Sequence, residues 1–355
     1  MGETPKNSKS QKNSKTQVTI REIAKEANVS LGTVSHVLND RAVVSEDKKK
    51  AVLDAVKKLE YVPNQAARML KNKKSKTIGL LLPDISNPYY AELARGVEDV
   101  ANRYDYTVLV CNNDRDFQKE ERYLSTLANK QTDGVIIVKL ANKPDHLFRY
   151  FASSRIVLID CDQTQVAAEN YMPQTVNLDD CEGTAVAMNY LYHNGHRNIA
   201  HISGLLESVS SRNRKETFCH FMKGIGVREE NLLIENGTYS FYGGYQAMKR
   251  ILDKDPSVTG VFAANDLMAM GAMRAIHDSG LNVPGDISMI GYDDINSAEY
   301  CTPTLTTIRQ PKYEVGEYGT ALLLKSMKEE NVTIPLLPRN CLIVRESVRK
   351  IINQP

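Results

Sequence analysis

The spacing of apolar residues changes character once along the chain, near residue 77. Before that point apolar positions recur at three- and four-residue intervals in short runs: Ile23, Ala24 and Ala27, then Val34, Val37 and Leu38, then Val52, Leu53, Val56 and Leu59. Each run predicts a short helix with one buried face. Asn28-Val29-Ser30 interrupts the first two, and Ser30 suits the N-cap of the second helix. Ser45 suits that of the third, where Glu46 and Asp47 enter the positively polarised first turn. Two short helices joined by a tight turn describe a helix-turn-helix. Pro63-Asn64 ends the block, because proline fixes φ and disfavours helix in the residue before it. Asn64 to Leu70 has helical propensity but barely two turns, too few to persist alone.

From Thr77 onward short continuous apolar runs end in polar residues. Ile78 to Leu82 leads to Pro83-Asp84, Thr107 to Val110 to Cys111-Asn112-Asn113, and Ile156 to Ile159 to Asp160. Gly134 to Val138, Ile199 to Ile202, Val261 to Ala264 and Ile287 to Ile290 follow the same form. Helix-period segments alternate with them, among them Tyr90 to Tyr104, Lys119 to Lys130, Gly183 to His193, Arg212 to Lys223, Gly244 to Asp253 and Leu267 to Ser279. Apolar strands separated by helices predict doubly wound parallel sheets covered on both faces. Ligands of such sheets bind beyond the carboxyl ends of the strands, where the Asp and Asn residues collect.

Charge divides at the same place. Residues 1–76 hold 17 Lys and Arg against 8 Asp and Glu, a net +9, whereas the remainder holds 28 against 35, a net −7. A basic head on an acidic body is what phosphate binding by one segment alone requires. The outward face of the second helix carries Leu31, Gly32, Ser35, His36 and Asn39, small and hydrogen-bonding groups suited to major-groove base edges. Residues 1–17, rich in Lys, Ser, Asn, Thr and Gln, read as a disordered basic tail. They lack the apolar core of a signal peptide, and no run approaches 18 apolar residues, so a cytoplasmic protein without a membrane segment is expected. The six cysteines, at 111, 161, 181, 219, 301 and 341, form no close pair and read as small apolar residues in a reducing compartment.

Enzyme signatures are missing: no G-x-S-x-G elbow, no G-K-[ST] phosphate loop and no H-E-x-x-H. Gly224-Ile225-Gly226 follows a helix and reads as a turn. His193 and His196 have metal-ligand spacing, but their context, Tyr192-His193-Asn194-Gly195, reads as a helix end capped by glycine, so neither a metal nor another cofactor is expected. Asp293 and Asp294 are adjacent at a strand end and point oppositely, so they form no acid–base dyad.

Val18 to Ala24, the Val29-Ser30-x-x-Thr33-Val34-Ser35 run, and Tyr61-x-Pro63-Asn64-x-x-Ala67-Arg68-x-Leu70 followed by Ser75 and Ile78-Gly79 together resemble the DNA-binding head and hinge of the lactose-repressor/galactose-repressor family of bacterial transcription regulators. The likeness runs from Val18 to the C-terminus. It implies a small all-α head, residues 18–62, and a hinge helix with linker, 63–76. The implied body, 77–355, is α/β with two periplasmic-binding-protein-like lobes, about 77–176 with 307–339, and about 177–305 with 340–355. Crossovers are expected near 175–178, 304–308 and 338–341. It further implies a homodimer that represses a carbohydrate operon from palindromic double-stranded operator DNA and is released by a small sugar. A purine-type corepressor, whose ligand tightens DNA binding, is the alternative; a cytosolic sugar-binding or sugar-processing protein is a remoter one.

Carried onto this sequence, the resemblance implies DNA contacts by Thr19, Ser30, Leu31, Gly32, Thr33, Ser35, His36, Asn39 and Ser45. In the hinge it implies contacts by Asn64, Ala67, Arg68 and Leu70, with Leu70 wedged into the minor groove. For the effector it implies Asn87, Tyr89 and Tyr90 from a run like the N-P-F-Y of ribose-type repressors. Arg214 of R-x-R, Tyr239 as a stacking ring, Asn265 and Asp293 on hydroxyls, and Asp160 and Gln310 along the cleft complete the set. Asp266 and Asp294 are expected to cap helices or brace the lobes. The chain departs from the family pattern at Leu205, where proline is usual, and at Glu216-Thr217-Phe218, which lacks a glycine. Thr302 stands where catabolite-control regulators carry arginine, which argues against a phosphocarrier protein partner.

Overall fold

A computed structural model describes residues 18–39, 44–61, 74–141, 144–161, 173–205 and 207–351. The chain divides into two compact units after residue 73. The first contains α1 (Ile20–Glu26), α2 (Leu31–Asn39) and α3 (Glu46–Lys58). Ile23, Ala24, Val34, Val52 and Ala55 are buried together, with Val18, Val29, Val37, Leu38, Val56, Leu59 and Tyr61 packed around them. Leu53, expected on the buried stripe of α3, is instead 49% exposed. Val52, Ala55, Val56 and Leu59 complete an i, i+3, i+4, i+7 face without it, and Leu53 lies one residue, about 100°, further round. Glu22 accepts hydrogen bonds from the N–H and hydroxyl of Thr19, and the Ser30 hydroxyl accepts from the N–H of Thr33 at 3.1 Å. Ser45 occupies the N-cap of α3 but makes no capping bond with its side chain.

The second unit begins with β1 (Thr77–Leu82), α4 (Pro88–Arg103), β2 (Thr107–Asn112), α5 (Phe117–Asn129), β3 (Gly134–Val138), β4 (Ile156–Ile159) and β5 (Gln174–Val176). These strands form one sheet in the order β2-β1-β3-β4-β5, parallel throughout. The chain then builds α6 (Asp180–His193), β6 (Ile199–Ser203), α7 (Val209–Gly224), β7 (Ile234–Asn236), α8 (Phe241–Lys254), β8 (Gly260–Ala263), α9 (Asp266–Asp278), β9 (Ser288–Asp293), α10 (Ser297–Tyr300) and β10 (Thr306–Arg309). It returns to the first lobe as α11 (Lys312–Ser326) and ends in the second as β11 (Cys341–Ile343). The second sheet runs β11-β10-β9-β8-β6-β7, with only the β10–β11 pair antiparallel. Because β10 pairs in parallel with β9, Thr307, Ile308 and Arg309 belong to the second lobe. The crossing expected near 304–308 therefore falls after Arg309.

Each lobe seals one face with a helix pair whose backbones touch through glycine. A Cβ on Gly96 of α4 would lie 2.0 Å from the Tyr313 carbonyl oxygen, and one on Gly316 of α11 would lie 2.1 Å from that of Leu93. In the second lobe a Cβ on Gly244 of α8 would lie 2.2 Å from the Met268 carbonyl oxygen, and one on Gly271 of α9 would lie 2.0 Å from that of Phe241. Only glycine allows helices that close. Among the described residues no helix is long and apolar enough to cross a membrane.

Candidate functional site

Two surfaces follow from this architecture, one on each unit. In the first, the N-terminal ends of α1, α2 and α3 carry Thr19, Ser30 and Ser45, all exposed. Helix N-termini offer unpaired N–H groups and a positive partial charge to phosphates. Leu31, Gly32 and His36 are exposed on α2, and Ser35 is half-buried. Thr33 is also half-buried, its hydroxyl 2.9 Å from that of Ser30, so it shapes the start of α2. Asn39 ends the helix, with its side chain outside the described residues, as are Asn64, Ala67, Arg68 and Leu70.

In the second unit a narrow cleft opens between the lobes. It is lined by Asn87, Tyr89, Tyr90, Asp160, Arg214, Tyr239, Asp293 and Gln310, all singled out from sequence, and by Lys139, Asp180 and apolar Ile159, Val176, Leu178 and Val315. Four polar ones stand where a strand ends: Lys139 follows β3, Asp160 follows β4, Asp293 closes β9 and Gln310 follows β10. Several hold left-handed backbone, with φ of 55° at Lys139, 55° at Asp160, 58° at Tyr239 and 111° at Asp293. Such conformations cost of the order of 1–3 kcal/mol each and persist where surrounding contacts enforce them.

The contacts are dense. Asn87 caps α4, its Oδ1 accepting from the Tyr89 N–H at 3.0 Å, and the Tyr89 and Tyr90 rings meet edge to face at 5.1 Å. Lys139 Nζ lies 3.0 Å from the Asp160 carboxylate and donates to the Ser210 hydroxyl of the other lobe at 2.9 Å. It also lies 5.0 Å from the centre of the Tyr239 ring. Arg214 pairs with Asp180 through Nε at 2.8 Å and Nη2 at 2.7 Å, donates to the Ala264 carbonyl at 2.5 Å, and stacks 3.6 Å over Tyr292. Gln310 donates to the Asp293 carboxylate at 2.6 Å. Burial pushes the Asp293 carboxyl up to about 6 despite the opposing pull of Arg214 and Lys312. Burial also works against Asp160, but Lys139, Arg214 and the Ser210 hydroxyl together more than offset it and hold that carboxyl below its ordinary value. The buried hydroxyl of Tyr239 has no partner among the described residues.

Asn265, expected on a ligand hydroxyl, does not line the cleft. It caps α9, accepting from the Met268 N–H at 3.0 Å. Asp266 accepts from the Thr307 hydroxyl and the Ile295 N–H, and Asp294 is held by Arg309 and Arg345, so both brace the second sheet. Lys139 and Asp180 escaped the sequence reading. Their only signal was position, a charged residue just beyond a strand end or at a helix start near a crossing. His193 and His196 bond separately, to Asn189 and to Thr259 and Arg349, and share no ligand position.

Residues 19–64 match a family profile described as bacterial regulatory proteins, lacI family, and residues 188–348 one described as a periplasmic binding protein-like domain. The chain is 39% identical over 338 residues to the HTH-type transcriptional repressor PurR of Erwinia tasmaniensis, covering 93% of this chain and 96% of that one. To the ribose operon repressor of Halalkalibacterium halodurans it is 36% identical over 315 residues, covering 88% and 91%. Among solved structures, the lac repressor dimer bound to operator and the anti-inducer ONPF superposes with a TM-score of 0.82 at 26% identity, over 94% of this chain and 100% of that one. A helix-turn-helix head joined to a two-lobed α/β body, matched along nearly its whole length by repressors, makes this chain a member of the lacI family of bacterial regulatory proteins, transcription regulators that bind DNA and are not enzymes.

Proposed function

We propose that the protein is a homodimeric repressor of a carbohydrate-utilisation operon that leaves a palindromic operator when a small neutral sugar, a ribose-like pentose, closes the cleft. The observation that carries the ligand class is the pairing of charge there. Asp160 is answered by Lys139, Asp180 by Arg214, and Asp293 by the amide of Gln310. Such a site offers donors and acceptors side by side, as vicinal hydroxyls require, with tyrosine faces for the C–H side of a ring. A phosphate or carboxylate would face two buried aspartates, Asp180 and Asp293, and the half-buried Asp160. For the homodimer, β2 is an open sheet edge with Val110 half exposed, and Phe241 and Tyr242 at the start of α8 are exposed. Open edges and exposed apolar groups are surfaces that association covers. Its DNA target places the protein in the bacterial cytoplasm.

A ligand shifts the repressor only through differential affinity for its two states. Asp293→Ala is expected to bind operator as the wild type does without sugar, but to stay bound when sugar is added. Calorimetry with pentoses, hexoses, their phosphates and purines, paired with operator titrations, checks this. Tighter operator binding with a purine would establish the corepressor reading, and loss of operator binding by the variant without ligand would make Asp293 structural. Because the Asp293 carboxylate is the acceptor, sugar affinity should fall as pH drops through about 6.

A further inference from the structure

Lys312 is the first residue of α11, at the second crossing between the lobes, and is only 4% exposed. A cation there is doubly unfavourable. The N-terminal turn of a helix carries positive partial charge, and a buried ammonium is costly unless its protons find acceptors. All three protons do. Nζ donates to the backbone carbonyls of Asp293 at 2.7 Å and Asp294 at 2.8 Å, and lies 3.3 Å from the Glu92 carboxylate on α4. The two carbonyls belong to consecutive residues with φ of 111° and 54°, a left-handed turn that neither aspartate adopts cheaply. An anchor on α4 and α11, in the first lobe, thus grips the strained end of β9 in the second.

We propose that Lys312 is a positioning residue for effector binding: from the first lobe it holds the Asp293–Asp294 turn in its left-handed form and so presents the Asp293 carboxylate to the cleft. This rests on the reading of the cleft as the effector site. Gln310 fixes the carboxylate and its backbone N–H reaches the Asp293 carbonyl at 3.4 Å, Asp266 holds the Ile295 N–H, and Arg309 and Arg345 fix the Asp294 carboxylate; Lys312 adds the constraint on both backbone carbonyls that comes from the other lobe. The charged and titratable groups facing Asp293 are Arg214 from α7, Lys139 from the end of β3, Asp266 from α9, Tyr89 from α4, Tyr292 and Asp294 from its own turn, and Lys312. Lys312 is one of three cations among them.

The test compares Lys312→Met, which keeps the stem and removes the donors, with Lys312→Arg, which keeps charge and donors. Three readouts are taken on the full chain: calorimetric affinity for D-ribose across pH 5 to 8, operator affinity without sugar, and hydrogen exchange of the peptide spanning 288–296. The Met variant is expected to lose roughly tenfold or more in ribose affinity, the scale of hydrogen bonds to a charged group. Its acid limb should shift to higher pH, its 288–296 peptide should exchange faster, and its operator affinity should stay unchanged. The Arg variant should recover much of the loss. Wild-type exchange and an unmoved acid limb in the Met variant overturn the proposal, as does an Arg variant no better than Met. If the wild type binds no ribose, the sugar reading fails on its own, and the exchange measurement, which needs no ligand, still decides whether Lys312 holds the turn.

Discussion

His201 lies within β6 with its ring stacked between Phe218 and Phe262, 5.1 Å from each, and its Nδ1 2.9 Å from the Phe262 carbonyl oxygen. Burial pushes its pKa down to about 4. Between that value and the ordinary histidine value near 6.5 the unfolded chain binds a proton that the folded chain does not. The contribution is therefore complete above about pH 6.5 and is lost as pH falls toward 4, about 3 kcal/mol in all. Urea melts of His201→Asn should show lower stability throughout but lack this part of the slope. Residues of this kind explain what could be read beforehand. Asn87, Asp160, Arg214 and Asp293 were picked out by their match to the family's motifs, and Asp160 and Asp293 also because they stand beyond apolar runs. Lys139 and Lys312 looked like ordinary solvated lysines, since what buries them comes from the opposite lobe. Asn265 stands at a strand end for a further reason, its Oδ1 capping the helix that follows, while its buried Nδ2 has no partner among the described residues.

Elements were legible in proportion to their length. The long apolar strands and amphipathic helices stood out, whereas β5, β7 and β11, at three residues each, carry too few positions for a period, and β10 has two threonines and an arginine where the equally short β4 and β8 are apolar. Helix α11 was hidden by Gly316 and Gly319, which lower helical propensity and yet are what its packing uses. Gly316→Ala should show this: a methyl 2.1 Å from the Leu93 carbonyl forces α4 and α11 apart, at a cost of about 1–3 kcal/mol by overpacking. Gly224→Ala, at the end of α7 with nothing within 4 Å of its Cβ, should be neutral or stabilise by up to about 1 kcal/mol. Thermal melts of the two variants side by side check the pair.

Across the whole molecule, charge and sequence reading separate. The excess of Lys and Arg before residue 77 supplies attraction to any DNA, which weakens with salt, while the acidic remainder keeps that attraction local. Discrimination then rests on the exposed side chains of α2. His36→Ala should reduce the preference for operator over unrelated DNA by roughly 1–3 kcal/mol and leave nonspecific binding and its salt slope unchanged. Equal weakening on both DNAs in fluorescence titrations would assign His36 to the backbone. The division into head and body was plain from the one change of apolar period and the charge reversal. The place where the chain recrosses was not, because a four-residue strand decides it. That recrossing has a genetic consequence. The first lobe needs α11 and the second needs β11, so neither is encoded by one uninterrupted stretch of gene. A regulator with a new inducer cannot be made by pasting one lobe from a relative at a single junction: the second lobe takes three breakpoints and the first, with the head kept, takes four, or the whole body moves as one cassette and only the head is swapped.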